Sequence, residues 1–295
     1  MQLDKIIIGD SAVVLQSFPS DCIDLSVQSP PYDNMKDYEG NADFDFLAIA
    51  NQLYRVSKVG GVAVWVVNDA VIDGSETGTS FRQALYFMQL GFKLHDTMIY
   101  KKTGMSKASV NRYHQIFEYM FIFSKDGAPK TFNPIKDRKN KYVGLLGGNA
   151  VGGRSLRGEF GMRFNIWEYA NGKNHTAKWN DEALEHPAPF PEELAHDHIL
   201  SWSNEGDTVL DCFAGSGTTL KMAKILKRHF IGIEKVSKYA SIAERRVSAT
   251  DPLFEQGRGI TLPAPDGGGF CASQALSTPD MFSTIEHEPT PAPRR

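Results

Sequence analysis

Short apolar runs alternate along this chain with segments of helical periodicity, and this alternation constrains the fold more than any other feature of the sequence. Residues 62–67 are continuously apolar, as in a strand buried on both faces of a parallel sheet. Helical spacing precedes this run at 43–56 and follows it at 79–90. Further strands are predicted at 5–8, 23–27, 93–100, 115–124, 208–211 and 230–234, with helices at 11–18, 194–202, 218–226 and 237–247. This order predicts an α/β protein with a mostly parallel sheet.

Composition and cysteine usage exclude several classes of protein. The chain has 295 residues, of which 41% are hydrophobic and 23% charged, as in ordinary globular proteins. Its three cysteines, Cys22, Cys212 and Cys271, are far apart, which argues against a disulfide scaffold or a zinc ribbon. We therefore predict no metal site. Without a long apolar run or a signal-peptide pattern, the sequence predicts a cytoplasmic protein that makes no membrane contact.

Charge and composition divide the chain into four parts. Residues 125–180, the basic segment, carry a net charge of +7 in a chain whose total is −3. One interpretation is a solvated, poorly packed insertion; the other is a surface that binds nucleic-acid phosphates. After about residue 250 the chain is rich in proline and glycine, which predicts a disordered or loosely packed tail at 250–295. The remaining stretches, 1–124 and 186–249, carry the strand and helix patterns, and a less regular region lies between them at 125–185.

A glycine-rich stretch at 211–219, the glycine loop, joins a predicted strand to a predicted helix, and its sequence is DCFAGSGTT. Small residues let the backbone approach a ligand there, where the free amides of the helix point. The loop matches neither the Walker A pattern nor GxGxxG, and Asp211 would repel a pyrophosphate but suits a cationic or amino group. Glu234 ends the next strand, where an acid binds ribose hydroxyls in nucleoside-binding folds. The alternative is an ordinary strand-to-helix turn.

The tetrapeptide Ser29-Pro30-Pro31-Tyr32 follows the strand predicted at 23–27. In open α/β sheets the carboxyl ends of strands form the edge where ligands bind. The tetrapeptide offers a hydroxyl, a rigid carbonyl and an aromatic face, which suit a planar ring bearing an exocyclic amine. The simpler interpretation is a Pro-Pro turn.

In combination, the two motifs resemble those of the amino-methylating DNA methyltransferases that use S-adenosylmethionine. That family has a [DNS]-P-P-[YFW] catalytic motif and a D-x-F-x-G-x-G cofactor loop, and the order here resembles its circularly permuted β group. The resemblance covers roughly residues 4 to 248 and implies a Rossmann-like methyltransferase sheet with helices on both faces. It implies that 1–124 form the catalytic half of this domain, that 186–249 form its cofactor-binding half, and that a basic, irregular target-recognition insertion occupies 125–185. It places the methionine part of the cofactor at the glycine loop, the ribose at Glu234 and the adenine near Asp10. The implied cofactor residues are Asp10, Phe190, Asp211, Phe213, Gly215, Ser216, Gly217 and Glu234.

The resemblance also implies the reaction and its partners. Ser29 in the tetrapeptide is typical of cytosine-N4 enzymes, whereas an aspartate is more typical of adenine-N6 enzymes; the adenine alternative and, further away, RNA or protein methylation stay open. Cytosine-C5 chemistry needs a Pro-Cys nucleophile, which the sequence lacks. The expected substrate is double-stranded DNA, with a cognate restriction endonuclease as a further partner. The expected DNA-binding residues are Lys136, Arg138, Lys139, Lys141, Arg154, Arg157 and Arg163.

Overall fold

A computed structural model describes residues 1–31, 44–104, 111–144, 146–148, 154–170 and 191–250, with the backbone alone at 146–148 and 154–155. The strands are β1 (Lys5–Ile8), β2 (Ile23–Gln28), β3 (Ser57–Val67), β4 (Val71–Ile72), β5 (Ser75–Glu76), β6 (Phe92–Lys102), β7 (Phe117–Lys125), β8 (Arg138–Lys139), β9 (Leu146–Gly148), β10 (Arg154–Leu156), β11 (Phe160–Gly161), β12 (Ile166–Tyr169), β13 (Thr208–Asp211) and β14 (His229–Glu234). The helices are α1 (Ser11–Val14), α2 (Phe46–Val56), α3 (Thr79–Leu90), α4 (Glu192–Trp202), α5 (Thr218–Ile225) and α6 (Ser237–Ser248). The predicted tail lies outside the described residues.

Eight of these strands form one sheet in the order β1-β14-β13-β2-β3-β7-β6-β12. Every neighbouring pair is parallel except the two that include β7. From β13 the chain continues through α5 to β14 on one side, whereas from β2 it continues through α2 to β3 on the other. The adjacent strands β13 and β2 therefore flank a topological switch point, the place where ligands bind in open α/β sheets.

Alternate side chains of β3 pack against helices on opposite faces of the sheet. Val62, Val64 and Val66 belong to a buried cluster that includes residues of α4, α5 and the end of α6. Ala63, Trp65 and Val67 belong to a second cluster with residues of α1, α2 and α3. The predicted α/β architecture with helices on both faces is therefore confirmed. No helix in the described part of the chain has the length and apolar character needed to cross a bilayer.

The start of β3 differs from the prediction, which placed the strand at 62–67 after a glycine stop. The strand begins at Ser57 and includes Gly60 and Gly61. Ile23 pairs with Ser57 and Leu25 with Val62, so the residues between form a bulge against β2. A Cβ at Gly61 would lie 2.8 Å from the Lys58 carbonyl oxygen, which explains why the close approach requires glycine.

Part of the basic segment belongs to the main sheet. β12 pairs in parallel with β6 at the sheet edge, and Trp167 and Ile135 are buried in the core. The expectation of an irregular insertion is thus wrong for 166–169. These four residues become a strand because β6 offers an unpaired edge, a contact between residues 67 positions apart that local periodicity cannot reveal.

Candidate active site

Asp211 is the last residue of β13 and is buried, only 5% exposed. Its Oδ1 accepts a hydrogen bond from the Phe213 backbone N–H at 2.9 Å, which ties the side chain to the glycine loop. Burial raises the pKa of the Asp211 carboxyl to about 7. Hydrogen bonds from Thr219 and Phe213 lower this pKa, and the negative charge of Glu234 raises it further. A cation placed beside this carboxyl would therefore favour its ionised form.

The glycine loop turns sharply at Gly215 and Gly217, whose φ angles are +51° and +79°. A Cβ at Gly217 would lie 2.7 Å from the Ala243 Cβ on α6, so the loop needs glycine both for its backbone angle and for this packing. Ser216 is buried, and its carbonyl oxygen accepts a hydrogen bond from Arg246 Nη1 at 2.5 Å. The turn places the N-terminus of α5 directly beyond the carboxyl end of β13.

Arg246 belongs to an ion cluster that sequence reasoning missed. Its Nη2 lies 2.8 Å from Glu192 Oε1, and Lys221 Nζ lies 2.8 Å from the same oxygen. The cluster therefore joins α6, α4 and α5 behind the glycine loop. A basic residue in the last turn of a helix is usually exposed, so nothing in the local sequence marks Arg246 as a buried ligand of the loop.

Glu234 ends β14 and is 9% exposed. Its Oε2 accepts from the Gly215 N–H at 2.8 Å and its Oε1 from the Val236 N–H at 2.8 Å. Burial raises the pKa of Glu234, and these backbone donors partly offset that effect. The carboxylate thus links the glycine loop to the end of the neighbouring strand.

Asp10 follows β1, which pairs with β14 at the next position across the sheet. The Gly9 N–H donates to the Glu234 carbonyl oxygen at 2.9 Å, and Asp10 caps α1 by accepting from the Ala12 N–H. Asp211, Glu234 and Asp10 therefore stand at the ends of three adjacent parallel strands. Since neighbouring strands lie about 4.8 Å apart, the row extends over about 10 Å, enough for an elongated ligand.

Ser29, Pro30 and Pro31 follow β2 on the other side of the switch point. Ser29 and Pro31 are half-buried and Pro30 is buried. The Thr219 hydroxyl donates to the Val27 carbonyl oxygen at 3.5 Å, connecting the start of α5 to the end of β2. The structure therefore brings the first three residues of the tetrapeptide to the same edge as the glycine loop. Tyr32 and Phe190 lie outside the described residues.

Two buried polar residues, Asn68 and Asp69, directly follow β3 at the carboxyl ends of the parallel strands. They were not identified as site residues from the sequence. Asp69 accepts from the Ser80 backbone N–H at 2.9 Å and from the Ser80 hydroxyl at 2.5 Å, which fixes the start of α3. Asn68 donates to the Phe117 carbonyl oxygen at 3.2 Å and accepts from Gln115 at 2.9 Å. The signal was their position directly after the apolar run at 62–67.

The basic residues of 125–180 fall into two groups. Lys136, Lys139, Lys141 and Arg157 are exposed, and Arg138 is half-buried; the side chain of Arg154 lies outside the described residues. Arg163 instead forms ion pairs with Asp137 and, at 2.6 Å, with Asp197 on α4. Its guanidinium charge is therefore neutralised within the protein, whereas the expected role in DNA binding would need that charge to face a phosphate.

Comparison with known proteins agrees with this geometry. Residues 23–245 match a family model described as DNA methylase. The orphan methyltransferase M.BamHII of Bacillus amyloliquefaciens is 53% identical over 259 residues, covering 82% of this chain and 96% of that protein. The type II methyltransferase M.BglII of Bacillus subtilis is 28% identical, covering 83% and 69%.

Solved structures share the fold. A Thermus thermophilus protein, TTHA0409, solved in complex with S-adenosyl-L-methionine, is 26% identical with a TM-score of 0.56, covering 83% of this chain and 93% of that one. The cytosine-N4-specific PvuII DNA methyltransferase is 22% identical with a TM-score of 0.63, covering 86% and 90%. The acidic row and the glycine turn suit a ligand with an amino group and ribose hydroxyls, and S-adenosylmethionine is the cofactor. This chain belongs to the N6/N4 DNA methylase family and is a DNA methyltransferase.

Proposed function

We propose that this DNA methyltransferase transfers a methyl group to the exocyclic N4 of a cytosine flipped out of duplex DNA. The observation that carries the proposal is Ser29, a neutral hydroxyl at the carboxyl end of β2, beside the glycine loop. An aspartate at this position would also stabilise the positive charge that develops on an attacking amine. A neutral serine accepts a hydrogen bond from the amine but brings no negative charge, and this difference favours the cytosine assignment.

The base is held by the tetrapeptide. Tyr32 would stack on the flipped ring, while the Ser29 hydroxyl and the Pro30 carbonyl accept the two hydrogens of the amine. These acceptors draw the hydrogens out of the ring plane and so free the nitrogen lone pair for attack. The amine nitrogen would bond to the methyl carbon as the carbon–sulfur bond breaks, the sulfur would leave as a neutral thioether, and the methylated nitrogen would release one proton to solvent.

A covalent cysteine mechanism at C5 finds no support in the described residues. Burial raises the pKa of Cys212 well above its usual value, and burial also raises the pKa of Cys22. A nucleophilic cysteine needs the opposite, a stabilised thiolate. Cys271 lies outside the described residues.

On the cofactor side, S-adenosylmethionine supplies an activated methyl group on a cationic sulfur. We assign its amino group to Asp211, because a buried carboxyl whose pKa is raised gains most from an adjacent cation. Glu234 would accept from the ribose hydroxyls and Asp10 would lie toward the adenine. Phe190, Phe213, Gly215, Ser216 and Gly217 would surround the methionine part.

On the DNA side, Lys136, Arg138, Lys139, Lys141, Arg154 and Arg157 are the proposed ligands. Their positive charge compensates for the net negative charge of the whole chain. Arg163 would act indirectly, through its ion pairs with Asp137 and Asp197. A restriction endonuclease acting on the same site stays a prediction, since M.BamHII is named an orphan enzyme and M.BglII a type II enzyme.

The test is the identity of the modified nucleoside. DNA methylated by the purified protein is digested, and N4-methylcytosine is expected. N6-methyladenine would overturn the base assignment and leave the family intact. Ser29→Ala should lower kcat by about 10- to 100-fold, with cofactor affinity nearly unchanged, because its hydrogen bond strengthens as the nitrogen becomes tetrahedral. Ser17→Ala, an exposed serine before the amino end of β2, is the matched control.

A further inference from the structure

We infer that Arg138 recognises a guanine in the DNA target and so determines part of the sequence specificity. The inference rests on the proposed DNA-binding role of the basic segment and assigns one side chain within it to base recognition. The remaining cations would then contact phosphates, which give affinity without sequence preference.

The Arg138 side chain is fixed in place by three neighbours. Its Nε donates to the Met162 carbonyl oxygen at 2.9 Å, and its guanidinium carbon lies 4.7 Å from the centre of the Phe164 ring. Gly161, its partner in the β8–β11 pair, leaves room for the guanidinium, since a Cβ there would collide with Nη2. A guanidinium stacked and bonded in this way loses little entropy when it binds a ligand.

The terminal nitrogens of Arg138 remain available. Within the described part of the chain, no carboxylate or carbonyl oxygen forms a hydrogen bond or ion pair with Nη1 or Nη2. The neighbouring Asp137 is already paired with Arg163, so its charge does not neutralise Arg138. Two parallel N–H donors in a fixed plane match the O6 and N7 acceptors of guanine in the major groove.

The support under this arginine is itself anchored to the body of the enzyme. The Arg163 N–H donates to the Ile135 carbonyl oxygen at 2.9 Å, and Arg163 Nη1 bonds Asp197 on α4. The Tyr169 hydroxyl donates to the same Asp197 oxygen at 2.7 Å. The strands β8 and β11 are thus held at a defined place relative to the tetrapeptide and the glycine loop. Sequence recognition requires such a fixed position, whereas nonspecific phosphate contact does not.

Lysines in the same segment show a different arrangement. Lys136 and Lys139 are exposed, and no aromatic platform lies beneath them among the described contacts. A flexible ammonium suits a phosphate, which needs charge rather than a fixed plane. Lys139, adjacent to Arg138 and carrying the same charge, is therefore a matched control.

The experiment measures sequence preference separately from affinity. Wild type, Arg138→Ala, Arg138→Lys, Phe164→Leu and Lys139→Ala are offered a library of duplex oligonucleotides that vary the wild-type target one base pair at a time. Methylation rates under limiting enzyme give the discrimination at each position, and S-adenosylmethionine binding to each variant shows that its body is folded.

Arg138→Ala and Arg138→Lys should both lose about 5- to 100-fold discrimination at one G·C pair and keep it elsewhere. Phe164→Leu should lose part of the same preference, whereas Lys139→Ala should weaken all sequences equally. An unchanged order of preference in the Arg138 variants, or relaxation at an A·T pair, would overturn the inference. Absence of DNA methylation by the wild type would instead refute the proposed function.

Discussion

The protonation state of Asp211 should control cofactor binding. Burial raises the pKa of this carboxyl to about 7 in the protein without cofactor. The cationic amino group of the cofactor binds the ionised form, so a protonated Asp211 must lose its proton when the cofactor binds. At pH 6 most molecules must release one proton from Asp211 when they bind; at pH 8 few must. Cofactor affinity should therefore rise with pH through this window.

The size of the effect follows from the pKa. A carboxyl with a pKa of about 7 is ionised in about one tenth of molecules at pH 6 and about nine tenths at pH 8. Because about half of the cofactor's amino groups have lost their proton at pH 8, the predicted increase in affinity from pH 6 to pH 8 is about fivefold. Above pH of about 8 the cofactor's own amino group loses its proton, so affinity should fall again. Because the folded pKa is raised, the free energy of unfolding without cofactor should decrease as pH rises from 4 through 7.

Calorimetric titration of S-adenosylmethionine from pH 5.5 to 9 tests this, in two buffers that differ in ionisation enthalpy to count the released protons. Asp211→Asn should bind more weakly at pH 8 and lose most of the acid limb. Burial also raises the pKa of Glu234, so Glu234→Gln is the control for a second titrating group. An affinity independent of pH between 6 and 8, without proton release, would refute the assignment of Asp211.

Two further predictions concern the glycine loop and the basic segment. Arg246→Ala removes the hydrogen-bond donor to the Ser216 carbonyl but leaves Glu192 paired with Lys221, so it should cost about 1–3 kcal/mol of stability and weaken cofactor binding more than tenfold. Arg228→Ala is the control, because it removes an equally buried guanidinium that donates to the Ser203 carbonyl; it should lower stability and leave cofactor affinity unchanged. If both variants weakened cofactor binding equally, Arg246 would have no specific role in positioning the glycine loop. Replacing Lys136, Lys139 and Lys141 by alanine should reduce the slope of log affinity for DNA against log salt by up to about 3, as measured by fluorescence anisotropy. An unchanged slope would favour the solvated-insertion interpretation.

Much of the fold was predictable because its helices and strands carry their own periodicity. The structure has α3 and β13 at the residues expected from the sequence, 79–90 and 208–211. The antiparallel direction of β7 was not predictable, since a strand buried on both faces has the same apolar pattern in either direction. The edge strand β12 was not predicted either, because its pairing with β6 is a long-range contact.

The candidate site was predictable where function depends on the ends of strands. Ser29, Asp211 and Glu234 each follow or end a predicted strand, and a parallel sheet necessarily brings such ends to one edge. Arg163 could not be assigned from charge alone. Its partner Asp197 is 34 residues away on α4, so only the folded structure shows that this arginine is paired.

The order of strands also shows that the described residues before and after the basic segment contribute neighbouring strands to one sheet. Within the described residues β1 pairs with β14 alone, and β2 pairs with β13 on one side and with β3 on the other. Without β13 and β14, β1 would have no neighbour and Asp10 would have no carboxylate row to join. Because Glu234 follows the basic segment and Ser29 precedes it, the acidic row and the tetrapeptide come together only when these strands pair. We therefore expect the site to be lost in the same transition that unfolds the sheet, because its residues depend on strand pairing for their positions.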